Sequence, residues 1–127
     1  MILTMLKAKI HRAVVTEANL NYTGSITIDK NLMKASGINE YEQVHVVDID
    51  NGNRLETYVI AGPRDSGIIC LNGAAARLVL AGDKVIIMAY CQMDSSAVNE
   101  YTPAVVFVDS QNKLVEVKTI EERGYTI

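Results

Sequence analysis

The segment Tyr22–Ser25 places a serine hydroxyl directly after a glycine and directly before a short strand pattern, Ile26–Asp29. The Oγ of Ser25 can reach the carbonyl carbon of Gly24, because a glycine has no Cβ to obstruct the approach and tolerates strained backbone angles. Attack there converts the amide to an ester. Loss of the serine Cα proton eliminates the ester, and the dehydroalanine that is left hydrolyses to a pyruvoyl group, a ketone on a new chain end.

A ketone at this position has a definite chemistry. It condenses with an amine to form a Schiff base, and the conjugated amide beyond it accepts electrons from a carbanion, as a bound cofactor would. Gly24-Ser25 is more commonly part of an ordinary turn that enters a strand. On these residues alone, both interpretations stay open.

Three further stretches accompany this segment in a fixed order along the chain. The four stretches are Met1–Ala13, Tyr22–Ser25, Arg54–Tyr58 and Leu71–Arg77. Together they resemble the pyruvoyl-dependent aspartate 1-decarboxylase family, and the resemblance covers nearly the whole chain up to about Val108. It implies a single domain over residues 1–127, a six-stranded double-psi β-barrel with short helices, and self-cleavage between Gly24 and Ser25.

The resemblance also implies an activity. The expected reaction converts L-aspartate to β-alanine and carbon dioxide through a Schiff base with a covalently bound pyruvoyl group derived from Ser25, in the pantothenate and coenzyme A pathway. No pyridoxal phosphate and no metal are implied. The expected assembly is a homotetramer with active sites between subunits.

Several residues acquire roles from the resemblance that their chemistry supports. Ser25 is the maturation nucleophile and later the pyruvoyl carbonyl, and Tyr58 is the proton donor, because a phenol can protonate the carbanion that loss of carbon dioxide leaves. Arg54 offers a planar fork suited to a carboxylate, and Lys9 adds a second positive charge.

Thr57 is expected to assist processing and then to contact substrate. Its hydroxyl can hydrogen-bond the Gly24 carbonyl as charge develops on that oxygen. Thr57 and Tyr58 are adjacent, however, so on a regular strand their side chains point to opposite faces unless a bulge or the strand end intervenes.

A second group of substrate-binding candidates opens a predicted helix near Ala74–Val79. Backbone N–H groups at such a helix start can hold a carboxylate or the imine region, and an asparagine cap explains the first residue. These candidates are Asn72, Gly73, Ala74 and Ala75. Possible pocket residues are His11, Tyr22, Ile60 and Ile86, of which the two isoleucines would give apolar surroundings that favour the departure of neutral carbon dioxide.

Composition agrees with a small β protein and excludes some partners. Of the 127 residues, 49% are hydrophobic, with six tyrosines, one phenylalanine and no tryptophan, which favours an aliphatic, strand-rich core. The net charge of −3 and the absence of a Lys/Arg run argue against nucleic-acid and membrane partners.

The cysteines and the first residues of the chain suggest a cytoplasmic location. Cys70 and Cys91 lie in apolar runs and are expected to be buried free thiols, and Lys7 and Lys9 interrupt the first apolar stretch, so no signal-peptide pattern is present. The histidine and cysteine positions show no metal-ligand spacing.

Strand patterns run through most of the chain, from Leu3–Thr16 to Leu114–Lys118. Glu17–Asn21 reads as a connection, Asp29 is placed to cap a short helix, and Asn51-Gly52 predicts a hairpin. A weak internal repeat relates two strand-helix-strand units, Ile26–Val47 and Ile69–Met88. Two such units can wrap a closed barrel.

Two other functions are compatible with the residues. One is a non-catalytic barrel that binds a protein or small ligand. The other is a serine hydrolase that uses Ser25 and His11, although the chain has no G-x-S-x-G elbow.

Overall fold

The structure is a computed structural model, and it describes residues 1–21 and 23–120. Its nine strands are β1 (Ile2–Val14), β2 (Glu17–Asn19), β3 (Ser25–Asp29), β4 (Gln43–Asp48), β5 (Arg54–Gly62), β6 (Ile69–Asn72), β7 (Lys84–Asp94), β8 (Ala104–Val108) and β9 (Leu114–Lys118). The helices are short: α1 (Lys30–Ser36) and two 3₁₀ helices, Gly73–Arg77 and Ser95–Glu100. The predicted mainly β class is confirmed.

The strands pair in the linear order β2-β6-β3-β5-β4-β7-β1-β8-β9. Within the described residues these pairings form a nine-stranded sheet, so the six-stranded double-psi barrel stays a prediction. The segment expected to be only a connection contains a short strand, β2, which pairs in parallel with β6. None of the helices described is both long and apolar enough to span a membrane.

Two similar units build the centre of the sheet. Strand β3, helix α1 and strand β4 form the first unit, and strand β6, the 3₁₀ helix Gly73–Arg77 and strand β7 form the second. Equivalent strands pair with each other in antiparallel fashion: Ile26 of β3 lies opposite Leu71 of β6, and Val46 of β4 lies opposite Ile87 of β7. The predicted repeat therefore corresponds to two units whose equivalent strands hydrogen-bond to each other edge to edge.

Alternation along β3 and β6 separates an apolar face from a polar one. Ile26 and Leu71 are opposite each other and 0% exposed, so their face belongs to the aliphatic core. The next position along each strand points the other way. Ser25 therefore lies opposite Asn72, and Thr27 opposite Cys70, on the face away from that core.

Side-chain hydrogen bonds and a turn glycine stabilise the connections between the strands. The side chain of Asp29 accepts a hydrogen bond from the backbone N–H of Asn31 at 2.8 Å and so caps α1, as predicted. Its second oxygen accepts from the N–H of Gly67 at 2.8 Å, which ties the start of α1 to the turn before β6. The predicted Asn51-Gly52 hairpin joins β4 and β5, but its loop spans residues 49–53 and is longer than the two residues predicted; Gly52 has a φ of 78° that suits glycine.

Three carboxylates from separate parts of the chain meet at the end of β4. Oxygens of Asp48, Asp50 and Asp83 lie within 4.8 Å of one another. Asp48 is 0% exposed, and its Oδ2 is buried without a hydrogen-bond partner among the described residues. Burial, and then the contact with Asp83, raise the pKa of Asp48, while the same contact lowers the pKa of Asp83. The opposite directions of the two pKa shifts are those expected where Asp48 holds a proton that it can share with an ionised Asp83.

We predict that this pair makes stability fall as the pH rises through the pKa of folded Asp48. A pKa raised by folding contributes stability at low pH that ionisation removes, whereas the contribution of Asp83, whose pKa is lowered, is lost as the pH falls. Asp48→Asn should reduce the loss of stability as the pH rises, because the asparagine amide can still donate a hydrogen bond to Asp83 and cannot ionise. Urea unfolding across acidic and neutral pH measures this, and identical pH profiles for the two proteins would contradict it.

Candidate active site

The two residues that flank the Gly24–Ser25 bond both have a positive φ, which glycine tolerates but which strains Ser25. Gly24 has a φ of 115° and Ser25 a φ of 109°, a range that residues with a side chain rarely adopt. A non-glycine residue held in such a region costs about 1–3 kcal/mol. Ser25 is nevertheless 4% exposed and forms the first residue of β3, so packing keeps this hydroxyl residue in a conformation that favours glycine.

A buried amide holds the Ser25 hydroxyl. Asn72 lies opposite Ser25 in the pairing of β6 with β3 and is 3% exposed. Its Nδ2 donates to Ser25 Oγ at 3.0 Å and to Thr27 Oγ1 at 3.0 Å. Its Oδ1 accepts from Cys70 Sγ at 3.1 Å. The four side chains form one hydrogen-bonded cluster on the face away from the aliphatic core, which we call the amide cluster.

Sequence reasoning found two members of the amide cluster and missed the other two. Thr27 resembles an ordinary strand threonine, and Cys70 an ordinary buried thiol. Their positions two residues from Ser25 and from Asn72 are the signal that could have found them, since alternate residues on a strand share a face.

A short helix follows β6, as predicted, but the predicted cap by the Asn72 side chain is wrong. This helix is a 3₁₀ helix of 5 residues, Gly73–Arg77, and the side chain of Asn72 makes no capping hydrogen bond. The Asn72 side chain does not cap the helix because both its oxygen and its nitrogen already form hydrogen bonds within the amide cluster. Gly73 is buried, Ala75 is half-buried and Ala74 is exposed, so the predicted substrate-binding residues directly follow the partner of Ser25.

Strand β5 brings two candidates to the face of the amide cluster. Ile60 lies opposite Thr27, and Tyr58 precedes Val59, which lies opposite Ile26. Tyr58 is 38% exposed at the level of Ser25. The register of β5 with β3 and β4 is regular, so alternation directs Thr57 to the other face, with Val59. The hydrogen bond of Thr57 to the Gly24 carbonyl stays a prediction.

The remaining cationic candidates lie on other parts of the sheet. Arg54 is exposed at the start of β5 and lines a cleft of about 250 Å³ with His45 and Glu56, whose side chains are 2.9 Å apart. Lys9 and His11 lie on β1, which β7, β4 and β5 separate from β3 in the strand order. The ring of His11 packs edge-on against Phe107 at 5.7 Å.

Two pocket candidates remain. Ile86 is half-buried on β7 opposite Val47 of β4, away from the pairing of β3 with β6. Tyr22 lies outside the described residues.

Both cysteines are free thiols, as predicted, and they differ in exposure. Cys70 is buried, whereas Cys91 is half-buried. Burial, and then the nearby charge of Glu17, raise the pKa of the Cys70 thiol. The thiol that faces Asn72 is therefore neutral and able to donate a hydrogen bond.

Comparison with known proteins gives consistent matches over the chain. A family model described as aspartate decarboxylase matches residues 1–115. An aspartate 1-decarboxylase of Clostridium botulinum (strain 657 / Type Ba4) is 61% identical over 127 residues, which is 100% of both chains. The chain is also similar to the aspartate 1-decarboxylases of Clostridium kluyveri (62% identical; 96% of both chains) and Clostridium beijerinckii (64% identical; 95% of this chain and 98% of the relative).

Proposed function

The chain belongs to the aspartate decarboxylase family, and on that basis we propose that its working group is a pyruvoyl group made from Ser25. The chain is an enzyme that decarboxylates L-aspartate to β-alanine and carbon dioxide on the pantothenate pathway. This outcome disfavours the non-catalytic barrel. It also disfavours a serine hydrolase, whose expected base, His11, packs against Phe107.

The observation that carries the proposal is the state of Ser25. Its hydroxyl is buried, its backbone is strained next to a glycine, and its Oγ accepts a hydrogen bond from Asn72 at 3.0 Å. Strain at the Gly24–Ser25 bond is relieved when that bond breaks, and the fixed Oγ needs little further ordering to attack the Gly24 carbonyl.

The conversion of Ser25 balances with water as the only co-reactant. Oγ forms a bond to the Gly24 carbonyl carbon, the C–N bond breaks, and the hydroxyl proton passes to the Ser25 nitrogen. Loss of the Ser25 Cα proton then expels the Gly24 carboxylate and leaves dehydroalanine. Addition of water releases ammonia and leaves the ketone.

The side chains around this position then act on aspartate. The pyruvoyl group supplies a ketone that takes up the substrate amine and withdraws electrons from its α-carbon as carbon dioxide leaves. We assign Arg54 and Lys9 to substrate carboxylate binding, and Tyr58 to proton delivery at the α-carbon. The exposed phenol of Tyr58, level with Ser25 across the pairing of β3 and β5, supports its role.

Further support for roles comes from the apolar and backbone groups beside the amide cluster. Ile60, opposite Thr27, contributes apolar surroundings that favour the release of neutral carbon dioxide. Thr57 is assigned to processing. The segment Asn72–Ala75 is assigned to substrate binding, because this segment begins at Asn72, the hydrogen-bond partner of Ser25.

We also propose that the sheet is a closed six-stranded double-psi barrel with β8 and β9 added outside it. Only Val15 and Thr16 separate β1 from β2, which lie in opposite halves of the strand order. The N–H of Val15 donates to Asp83 O and that of Thr16 to Ile69 O, both at 2.8 Å, so pairing continues through the junction. Counted as one strand, β1 and β2 join the two halves into a ring.

The proposed assembly is a homotetramer in the cytoplasm. Exposed apolar side chains at Ile2 (63%), Val115 (61%) and Ile120 (56%) offer surface for subunit contacts. A neighbouring subunit could bring its own Lys9 or His11 to Ser25, which explains why these residues lie on a different part of the sheet within one chain. The free thiols of Cys70 and Cys91 support a reducing compartment.

The proposed function is tested by incubation with L-aspartate. The wild-type chain should release carbon dioxide and form β-alanine in equal amounts, and Ser25→Ala should do neither because it has no Oγ. Release of carbon dioxide at the same rate by Ser25→Ala would show that the group does not come from Ser25.

Alanine substitutions at Gly24 and at Gly52 distinguish an effect on cleavage from a general loss of stability. Gly24 and Gly52 have φ values of 115° and 78°, and an added Cβ would meet no atom within 4 Å at either position. Alanine at each should therefore cost about 1–2 kcal/mol of unfolding free energy through backbone strain alone. Only Gly24→Ala should also slow cleavage, since its Cβ flanks the attacked carbonyl.

Unfolding by urea in a Ser25→Ala background gives the two stabilities, and intact-mass time courses of the single variants give the cleavage rates. Equal cleavage by Gly24→Ala and Gly52→Ala would contradict a specific need for glycine before Ser25.

Arg54→Ala should separate maturation from substrate binding. The guanidinium is assigned to the aspartate carboxylate, so its loss should lower kcat/KM about 10- to 100-fold, the worth of hydrogen bonds to a charged group, and leave cleavage unchanged. Arg64→Ala is the matched control, because Arg64 is also exposed and its guanidinium donates to Asn31, on α1. Unchanged kcat/KM in Arg54→Ala would remove Arg54 from the site.

A further inference from the structure

On the basis of the proposed function, we infer that Cys70 is a positioning residue for the conversion of Ser25. Its thiol fixes the orientation of the Asn72 amide, so that the amide nitrogen, and not the amide oxygen, faces the Ser25 hydroxyl. The relevant contacts are Cys70 Sγ to Asn72 Oδ1 at 3.1 Å and Asn72 Nδ2 to Ser25 Oγ at 3.0 Å.

The two hydroxyls of the amide cluster do not by themselves orient the amide. Those of Ser25 and Thr27 can each donate or accept, so they would be satisfied by either end of the Asn72 side chain. A neutral thiol is weak in both roles, and here its one S–H is directed at the amide oxygen, with Sγ and Oδ1 3.1 Å apart. Cys70 is 5% exposed and its burial favours the neutral form, so its S–H selects the amide oxygen.

The selected orientation matters for the proton of Ser25. With Nδ2 facing it, Oγ accepts a hydrogen bond, and the hydroxyl proton is available to pass to the Ser25 nitrogen as the C–N bond breaks. With Oδ1 facing it, the hydroxyl would donate its proton to the amide, and that hydrogen bond would have to break before the transfer. Cys70 thus acts on Ser25 through Asn72 without touching Gly24.

Both hydrogens of the amide are then used. Thr27 Oγ1 accepts the second one at 3.0 Å, which leaves the Asn72 side chain with three partners and no freedom to turn. A fully satisfied buried amide is rigid, whereas loss of the thiol leaves Oδ1 unpaired in a buried site.

The test compares cleavage rates, by intact mass, of freshly made wild type, Cys70→Ala and Cys70→Ser. Alanine removes the donor and should slow cleavage about 3- to 10-fold, the worth of one net hydrogen bond. Serine restores a donor of similar size, but its hydroxyl also accepts, so it should orient the amide less strictly and cleave at a rate between those of Cys70→Ala and wild type.

Ile69→Val is the matched structural control. Ile69 precedes Cys70 on β6, faces the core and is 0% exposed, and the loss of one methylene there destabilises by about 0.5–1.5 kcal/mol without touching Asn72. It should cleave at the wild-type rate. In an Asn72→Ala background, Cys70→Ala should have no further effect, because the amide that it orients is gone.

An infrared measurement gives a second readout. It reports the hydrogen bond of the Cys70 thiol directly and would not change if Cys70 only contributed to packing. In uncleaved Ser25→Ala chains that also carry Cys91→Ala, the S–H stretch of Cys70 should lie below that of a free thiol and rise when Asn72 becomes alanine. Equal cleavage rates in wild type and Cys70→Ala, or slowing by Cys70→Ser as large as by Cys70→Ala, would overturn the role of Cys70 alone. Failure of the wild-type chain to cleave would overturn the proposed function and this role together.

Discussion

The hydrogen bond from Asn72 Nδ2 to Ser25 Oγ, 3.0 Å long, joins the two halves of the fold at the residue that we propose as the source of the pyruvoyl group. It depends on the antiparallel pairing of β3 with β6, which places the two residues opposite each other. Both side chains are almost fully buried, so each polar atom there needs a partner. The amide cluster supplies those partners from alternate positions on two strands, and this fixes the hydroxyl next to a strained bond.

The strain at Ser25 persists because the next residues of β3 are buried in the core. Ile26 and Ile28 are 0% exposed, and burying each contributes about 1.5–3 kcal/mol, comparable with the cost of the unusual backbone at Ser25. A slip of one residue would turn these isoleucines outward and turn Ser25 and Thr27 into the apolar core. The core face therefore holds the face of the amide cluster in register.

Sequence patterns predicted the Asp29 cap, the Asn51-Gly52 hairpin, the repeat and every strand except the short β2, because each depends on local propensity or short spacing. The amide cluster was only half predicted. Asn72 was interpreted as a helix cap, which is the usual role of asparagine at such a position, but two hydroxyls and a thiol compete for its side chain. Asp48 and Asp83 were missed because only the pairing of β4 with β7 brings them together.

The covalent state of the chain tests the central claim most directly. Intact-mass analysis of freshly made wild-type chain under denaturing conditions, repeated during prolonged warming, should show two fragments accumulating, residues 1–24 and residues 25–127, with the second one blocked to Edman degradation. Ser25→Ala should keep a single mass throughout. Wild-type chains that stay whole after prolonged warming would contradict the conversion of Ser25 and every role that depends on it.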